Sequence, residues 1–392
     1  MIHAVAALTV LGWLYLLLLH GGYWRARERL AADLPAPARW PSVVALVPAR
    51  DEAETIGETL RSLLGQAYPG PFRVILIDDG SRDGTAAIAH ALATGADAGR
   101  LSIVAGRPLP AGWTGKLWAL QQGLDAVAAT APATDWILFT DADIRHRAGQ
   151  LDRLVRQAEA GGCDLVSLMV RLRCESRWER LLIPAFVYFF QKLYPFAWIA
   201  DPRRRTAGAA GGCVLVRRSR LDGLGGLAAI RNRLIDDCAL ARAVKESGGR
   251  LWLGLAEDSV SLRAYPDLDA VWQMVARSAY TQLRHSPPLL AGTVLGMALL
   301  YLAPPLLLLG YPLHGDPAAA LAGAAAWAMM ALSYRPTLAY YGEPAWAAFL
   351  LPIAGVLYTA MTVDSARVYL KAGGNRWKGR DYAKGGERPS AG

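Results

Sequence analysis

The stretch VILIDDGSRDGT, residues 74–85, decides the fold class of this chain. Its apolar first half leads directly into two adjacent acids, Asp78 and Asp79, and a turn rich in glycine, serine and aspartate follows. Apolar runs of this length are typical of strands that are buried on both faces of a parallel sheet. Turn chemistry explains the residues from Gly80 onward, but it does not explain two carboxyl groups at a strand end. The stretch therefore predicts an α/β domain with acidic groups at the carboxyl edge of its sheet.

Two further apolar runs on either side of this stretch also lead into acids. Residues 43–47 precede Asp51-Glu52, residues 136–139 precede Asp141 and Asp143, and a fourth acidic pair, Asp236-Asp237, opens a helical stretch. Ligands of open α/β sheets collect at the carboxyl ends of the strands, so we expect these acids to converge there. A divalent cation with a polar ligand relieves the resulting repulsion. The pattern predicts a metal-dependent enzyme that acts on a phosphorylated donor, with Asp141 and Asp143 as ligands of Mg²⁺ or Mn²⁺.

Three further segments carry candidate site residues. Lys116 opens a helix, where its charge opposes the macrodipole, so it is predicted to bind a diphosphate; a solvated surface lysine is the alternative. The loop from Pro48 through Arg50 to Glu52 is predicted to contact the nucleotide, although Asp51 can also serve as a helix cap. Arg277 is predicted to neutralise a leaving diphosphate, and a helix on the membrane surface is the alternative for its segment.

The acceptor side is assigned to a glycine-rich segment and to the last acidic pair. Gly211 and Gly212 permit close approach of the backbone to a ligand. Asp236 and Asp237 either cap the helix that follows or provide a general base for an acceptor hydroxyl.

Composition indicates a membrane protein. Of the 392 residues 53% are hydrophobic, and 42 Lys and Arg outnumber 33 Asp and Glu, for a net charge of +9. Excess basic residues mark the cytoplasmic side of membrane proteins. Nucleic acid is excluded as a partner, because the basic residues flank apolar segments and form no aromatic-interleaved patch. The four cysteines show no C-x-x-C spacing, which argues against zinc and predicts free thiols in the cytosol.

The predicted organisation has five parts: an N-terminal transmembrane anchor at 1–24, a linker at 25–42, a cytoplasmic domain at 43–286, C-terminal membrane helices at 287–370 and a basic tail at 371–392. Positive charge follows the first apolar run, which favours an uncleaved anchor with an outside N-terminus over a signal peptide. Residues 181–199 are predicted to form an interfacial helix, with an ordinary core helix as the alternative.

The number of C-terminal spans stays open at the level of sequence. Candidate spans at 289–311, 318–334 and 345–364 would, if all three crossed the bilayer, place the basic tail outside. The positive-inside rule favours a tail inside. Either one segment is re-entrant, or Pro304-Pro305 breaks the first span.

Taken in order, the motifs PARDEAETI, ILIDDGSRDGT, TGK, TDAD, GGCVLVRR and IDD resemble those of the family 2 inverting glycosyltransferases with the GT-A fold, over roughly residues 40–285. The resemblance implies a GT-A domain with a mostly parallel sheet, a nucleotide-sugar donor, a divalent metal and inversion at the anomeric carbon. It also implies that Asp79 contacts the nucleotide base, that Asp141 and Asp143 bind diphosphate and metal, and that Asp237 is the catalytic base.

Two departures narrow the resemblance. Processive members carry T-E-D and Q-x-x-R-W, whereas this chain has IDD at 235–237 and QMVARS at 273–278, without the tryptophan. The whole chain, with its ending WKGRDY at 377–382, is most similar to the hopanoid-associated glycosyltransferases of bacteria. This similarity implies a lipid or terpenoid acceptor. Together with the apolar segments and the distribution of basic residues, it predicts a multi-pass protein of the bacterial inner membrane with its catalytic domain on the cytoplasmic side. A short polysaccharide synthase and a non-catalytic nucleotide- or lipid-binding module are the alternatives.

Overall fold

The computed structural model describes residues 1–94, 97–372, 374–377, 380–383 and 386–387, with backbone alone after Lys371. The strands are β1 Val43–Ala49, β2 Phe72–Asp78, β3 Leu101–Ala105, β4 Trp136–Thr140, β5 Ile144–His146, β6 Leu165–Arg171, β7 Cys213–Arg217, β8 Leu251–Ser261, β9 Gly374–Trp377, β10 Arg380–Ala383 and β11 Gly386–Glu387. The helices of the α/β domain are α2 Ile56–Leu64, α3 Thr85–Leu92, α4 Gly115–Thr130, α5 Gln150–Ala160, α6 Arg177–Leu193, α7 Phe196–Ala200, α8 Arg218–Gly223, α9 Asp236–Glu246 and α10 Leu268–Gln282. The apolar helices are α1 Ile2–Leu18, α11 Pro287–Met297, α12 Ala303–Leu309, α13 Tyr311–His314, α14 Pro317–Tyr341 and α15 Leu351–Ala372.

An eight-stranded mixed sheet forms the centre of the α/β domain, in the order β3-β2-β1-β4-β7-β6-β8-β5. The pairings β3–β2, β2–β1, β1–β4 and β6–β8 are parallel, and the other three are antiparallel. The predicted runs at 43–47, 74–77 and 136–139 lie in β1, β2 and β4, which are adjacent and parallel. The predicted α/β fold is therefore confirmed, and the acidic segments after these three strands emerge at one edge of the sheet.

Both faces of the sheet are covered, as the continuous apolar runs require. Along β1, Val44 and Leu46 pack with α4 and α9 on one face, whereas Val43 and Val47 pack with α2 and α5 on the other. Gly123 lets α4 lie close against the sheet, since a Cβ there would lie 2.9 Å from the Ile77 side chain. This packing fixes the N-terminal end of α4 beside the strand ends.

Helix α6 connects the sheet domain with the apolar helices. A capping box between Ser176 and Glu179 begins it, and it buries Tyr188 and Gln191 against α14. The Tyr188 hydroxyl lies 2.8 Å from the hydroxyl of Tyr23. The predicted interfacial segment 181–199 thus packs on the helical bundle on one side, and its contact with a membrane surface stays a prediction.

Three helical segments are long and apolar enough to cross a membrane: Pro287–Leu309, Pro317–Tyr341 and Ala345–Lys371. The first continues through the predicted break at Pro304-Pro305, after a π-helical turn at Ala298–Leu302. Helix α1 is shorter, with 17 residues. Its first turn pairs with the start of α14, since His3 lies 2.8 Å from Asp316. Its far end lies against α6, where the His20 ring contacts the Lys192 carbonyl at 2.8 Å.

The segment Ala345–Lys371 begins and ends beside the α/β domain. Just before it, Glu343 lies 3.6 Å from Arg180 at the start of α6. Near its end, the Tyr369 ring stacks on His285, between α10 and α11, with 4.0 Å between the ring centroids. Of the basic tail predicted at 371–392, residues 373, 378–379, 384–385 and 388–392 lie outside the described residues.

Candidate active site

The loops after β1 and β2 bring together the residues predicted to contact the nucleotide. Arg50 donates a hydrogen bond of 2.7 Å to the backbone carbonyl of Asp79, and its guanidinium lies 4.0 Å from the Asp79 carboxylate. Asp79 is buried, and its backbone N–H pairs with Ala49 at the end of β1. Arg50 and Asp79 therefore form one unit at the edge of the sheet.

Lys116 lies at the centre of a second group. Its Nζ is 2.7 Å from Asp141 Oδ1 and 3.4 Å from Asp236 Oδ2. Burial lowers the pKa of Lys116, but the two carboxylates outweigh burial and hold the net pKa above its ordinary value. The lysine is therefore a charged bridge between the loop after β4 and the start of α9, and it is not a solvated surface residue.

Asp237 is a half-buried acid that is held by two backbone hydrogen bonds. Its Oδ2 accepts the N–H of Gly211 and its Oδ1 accepts the N–H of Cys238, both at 2.7 Å. Burial raises the pKa of Asp237 to about 7, the adjacent Asp236 adds to the rise, and Lys116 opposes it. A carboxylate with this pKa exchanges a proton near neutral pH, which is the property of an efficient general base.

The two predicted glycines explain how these groups approach one another. A Cβ on Gly211 would lie 3.1 Å from Lys116 Nζ and 3.3 Å from Asp237 Oδ2. A Cβ on Gly212 would lie 2.9 Å from the side chain of Val170. Any side chain at Gly211 would therefore crowd both the lysine and the acid.

Asp143 belongs to a third group that contains a residue missed by the sequence reasoning. Arg263 Nε lies 2.7 Å from Asp143 Oδ2, and Arg263 Nη2 lies 2.9 Å from the Glu52 carboxylate. Burial and the charge of Asp141 raise the pKa of Asp143, while Arg263 opposes the rise. Arg263 follows β8 with no motif around it, so only the sheet order, which places β8 beside β5, brings it here.

A buried histidine, His146, contacts Thr140, the residue that joins the end of β4 to the glycine-rich segment. Thr140 Oγ1 donates to the Gly212 carbonyl at 2.9 Å, so its remaining contact, His146 Nε2 at 2.9 Å, must be the donor. The other ring nitrogen, Nδ1, then accepts from Ser259 at 2.8 Å. Burial lowers the pKa of His146 to about 4, so the ring is neutral. The contact between Thr140 and Gly212 joins the metal-side loop to the acceptor-side loop.

Arg277 is the one predicted site residue that stands apart from these groups. It is exposed on α10, and no ion pair to it occurs among residues 1–94 and 97–371. Its charge acts on Tyr265, whose pKa is raised mainly by burial and lowered by Arg263 and Arg277. The role predicted for Arg277 at a diphosphate stays a prediction.

The predicted metal ligands fit an ion that is completed by its substrate. Within the described part of the chain, no three His, Cys, Asp or Glu side chains are grouped closely enough to hold a metal on their own. Asp141 and Asp143 are close enough for the first to raise the pKa of the second. Mg²⁺ commonly takes one or two carboxylates and completes its shell with substrate phosphates and water. The donor set is therefore suited to a metal–diphosphate pair.

A small cavity of about 20 Å³ lies beneath these groups, with room for about one water molecule. Its lining includes Pro48, Lys116, Gly211, Asp236 and Asp237. Five predicted site residues from four separate segments thus share one cavity.

Comparison with known proteins identifies the domain. Residues 44–225 match the family model described as Glycosyl transferase family 2. The chain is 28% identical over 148 residues to an undecaprenyl-phosphate 4-deoxy-4-formamido-L-arabinose transferase of Pseudomonas syringae, covering 37% of this chain and 40% of that protein. It is 33% identical over 122 residues to a 4,4'-diaponeurosporenoate glycosyltransferase of Staphylococcus aureus, covering 31% of this chain and 29% of that protein.

Among solved structures, the mannosyltransferase PcManGT from Pyrobaculum calidifontis, in complex with GDP-Man and Mn²⁺, superposes with a TM-score of 0.56 at 21% identity. The superposition covers 93% of this chain and 99% of that one. The two sequence matches span about two fifths or less of the relatives' own length. The sheet, the family match and the superposition agree: the chain carries a glycosyl transferase family 2 domain with the GT-A fold.

Proposed function

We propose that the protein is a membrane-bound inverting glycosyltransferase, which moves a sugar from a nucleotide-sugar donor to a hydroxyl of a lipid. The observation that carries this proposal is Asp237, a carboxylate with a pKa of about 7 that accepts a hydrogen bond of 2.7 Å from Gly211. Gly211 belongs to the segment that matches family 2, residues 44–225, and Asp237 follows that segment in the chain. A solvent-exposed carboxylate on a protein surface would titrate near pH 4 and would be a weak base.

Asp237 takes the proton of the acceptor hydroxyl while that oxygen attacks the anomeric carbon. Its two hydrogen bonds from backbone N–H groups hold the carboxylate in one orientation. Lys116 supplies positive charge between the donor side and the acceptor side, because it pairs with both Asp141 and Asp236. General base catalysis by a positioned carboxylate typically contributes about 10²–10⁴-fold to the rate.

Asp141 and Asp143 are the residues that would hold a divalent metal together with the donor diphosphate. When bound there, such an ion would supply positive charge to the leaving nucleoside diphosphate. The mannosyltransferase PcManGT, whose structure contains GDP-Man and Mn²⁺, supports this part of the proposal by its fold. In this structure Lys116 pairs with Asp141 and Arg263 pairs with Asp143. When the donor and metal bind, each cation must either move away from its carboxylate or contact it together with the metal.

The lipid acceptor is supported by two relatives and by the position of Asp237. The relatives are named for undecaprenyl phosphate and for 4,4'-diaponeurosporenoate, both of which are lipids. Tyr194, at the end of α6, has a pKa raised by burial, by Cys238 and to a smaller extent by Asp237, so the base lies close to the helix that packs on the apolar bundle. A hopanoid is the narrower acceptor within this proposal.

We further propose two full spans, Pro287–Leu309 and Pro317–Tyr341, with Ala345–Lys371 as a re-entrant segment and α1 as the anchor of the N-terminus on the far side. Both ends of the third segment contact residues next to the α/β domain. This arrangement places the basic tail on the side of the catalytic domain, the cytoplasmic face of the bacterial inner membrane, and it satisfies the positive-inside rule.

The test is donor turnover by the purified full chain with a panel of nucleotide sugars, Mg²⁺ or Mn²⁺, and extracted bacterial lipid. Metal-dependent release of nucleoside diphosphate that increases with lipid is the expected result. Several sugars on each acceptor would instead indicate a short polysaccharide synthase. Nucleotide binding without turnover of any donor would indicate a non-catalytic binding module.

A further inference from the structure

Helix α14 carries a cation in a segment that is otherwise apolar enough to cross a membrane. Arg335 lies within Pro317–Tyr341 and is exposed on the outer face of the helix. No hydrogen bond or ion pair to its guanidinium occurs within residues 1–94 and 97–371. An ionisable residue in a spanning segment is costly, so an Arg without a protein partner calls for an external one.

Arg335 lines a groove of about 370 Å³ on the side of the bundle near the catalytic domain. Leu332, Pro336 and Ala339 line it from the same face of α14, and Trp24 lines it from the segment after α1. The opposite face of α14 is buried in the bundle, for example at Tyr334 and Leu338. The groove therefore faces the surroundings of the bundle, which in the proposed topology are lipid.

In the proposed topology, Arg335 lies at the depth of the lipid headgroups. It lies six residues before Tyr341, the end of α14, which is about 9 Å along the helix axis. The Tyr341 carbonyl accepts a hydrogen bond from Arg171 at the end of β6, so this end of α14 lies against the catalytic domain. A guanidinium at this depth can reach a phosphate at the membrane surface.

A proline in α14 changes the backbone hydrogen bonding next to Arg335. Pro336 lies inside α14 and has no N–H to donate to the carbonyl four residues earlier, that of Leu332. Leu332 and Pro336 both line the groove beside Arg335, so the carbonyl that Pro336 cannot reach belongs to a residue of the groove wall.

The charge balance of the groove favours an anion. Glu343 also lines it, but its carboxylate is 3.6 Å from Arg180 and only 11% exposed, so its charge is compensated. Arg25 lies over the Trp24 ring, 5.6 Å from its centroid, and adds positive charge on the other side. The net charge around the groove is therefore positive.

We propose that this groove binds the headgroup of one anionic glycerophospholipid, with the phosphate on Arg335 and the acyl chains along the exposed side of α14. Basic pockets between membrane helices on the cytoplasmic side bind such headgroups by the same chemistry. The site depends on insertion of α14 into a bilayer and is independent of the transfer reaction, since none of its residues belongs to the candidate active site.

The experiment counts lipids bound to the full-length protein in neutral detergent by native mass spectrometry, during titration with phosphatidylglycerol or phosphatidylcholine. We expect one phosphatidylglycerol to bind about fivefold more tightly than phosphatidylcholine, the effect typical of one basic residue near the surface. Arg335→Gln should remove this preference, and Arg335→Lys should restore most of it. Arg73→Gln, which removes an exposed cation from β2, is the matched control and should bind like the wild type.

A second variant distinguishes binding in the groove from attraction to the charge of Arg335 alone. Ala339→Trp fills the groove and keeps Arg335, so it should also lose the bound lipid, and it tests the proposal if Arg335→Gln fails to fold. Flotation of each variant with vesicles tests membrane insertion separately.

Three results would overturn the proposal. They are equal retention of phosphatidylglycerol by the wild type and Arg335→Gln, displacement of the lipid by inorganic phosphate at millimolar concentration, and a preference of the groove for undecaprenyl phosphate over phosphatidylglycerol. The last result would assign the groove to an acceptor lipid.

Discussion

The titration of Asp237 gives the sharpest test of the proposed mechanism. Its pKa of about 7 means that the carboxylate is about 90% ionised at pH 8 and about 9% ionised at pH 6. If the ionised form is the base, kcat/KM for the acceptor falls about tenfold between these pH values and about tenfold for each further unit. The measurement is initial-rate transfer at saturating donor from pH 5 to pH 9, with donor binding followed at each pH.

Two variants that each remove one negative charge distinguish the role of Asp237 as the base from the electrostatic effect of its neighbour Asp236. Asp237→Asn removes the base, so we expect a loss of about 10²–10⁴-fold in kcat with donor affinity retained. Asp236→Asn removes the neighbour whose charge raises the pKa of Asp237, so its acidic limb should move to lower pH while activity at pH 8 persists. Turnover of Asp237→Asn within a few-fold of the wild type at pH 8, or a wild-type midpoint near pH 4, would refute the assignment.

The raised pKa of Asp237 also makes the stability of the folded protein depend on pH, whether or not substrate is bound. The pKa of Asp237 is higher in the folded protein than in the unfolded chain, so the folded state binds this proton more tightly. Its contribution to stability is complete below about pH 4 and is lost as the pH rises through about 7. The melting temperature of Asp237→Asn should therefore decrease less than that of the wild type between pH 5 and pH 8.

Four further predictions follow from the remaining contacts. Asp141→Asn removes the 2.7 Å partner of Lys116 and a candidate metal ligand, so calorimetry should show weaker binding of Mn²⁺ and donor together; unchanged affinity for both would exclude Asp141 as a ligand. Arg263→Gln removes the cation that pairs with Asp143 and Glu52, so the melting temperature should fall by several degrees and added Mn²⁺ should restore part of it; no change in either would show that Arg263 is not a substitute cation. Thr140→Val removes the contact with the Gly212 carbonyl and should lower kcat by about fivefold while nucleotide binding is unaffected, because the loss of one hydrogen bond to a positioned loop costs about 1 kcal/mol; an unchanged kcat would contradict this positioning. Leu313→Cys, 95% exposed between the two proposed spans, should react with an impermeant maleimide from outside intact cells, whereas a cysteine added after the last residue should not; the reverse pattern would contradict the topology.

The acidic motifs were sufficient to predict the family and the sheet, because they combine two independent signals. A run of apolar residues reports burial on both faces, and an acid directly after it reports a strand end at the ligand edge. Both were confirmed by β1, β2 and β4 and by the family 2 match. The predicted roles of Lys116, Asp141, Asp143 and Asp237 remain predictions, although the structure places all of them near one sheet edge.

The sequence by itself determined the α/β class, the order of the acidic segments and the apolar nature of the terminal helices, because these depend on local runs and spacings. The tertiary structure decided which cation meets which acid. Arg263 reaches Asp143 and Glu52 because β8 returns beside β5, while Arg277, which lies in a more suggestive sequence, stays exposed. The tertiary structure also sets the pKa of Asp237, since its burial and its distance to Lys116, which is more than one hundred residues away in the chain, both arise from the fold. Electrostatic energies depend on separation in space and on exclusion of water, and neither quantity is encoded in the local pattern of residues.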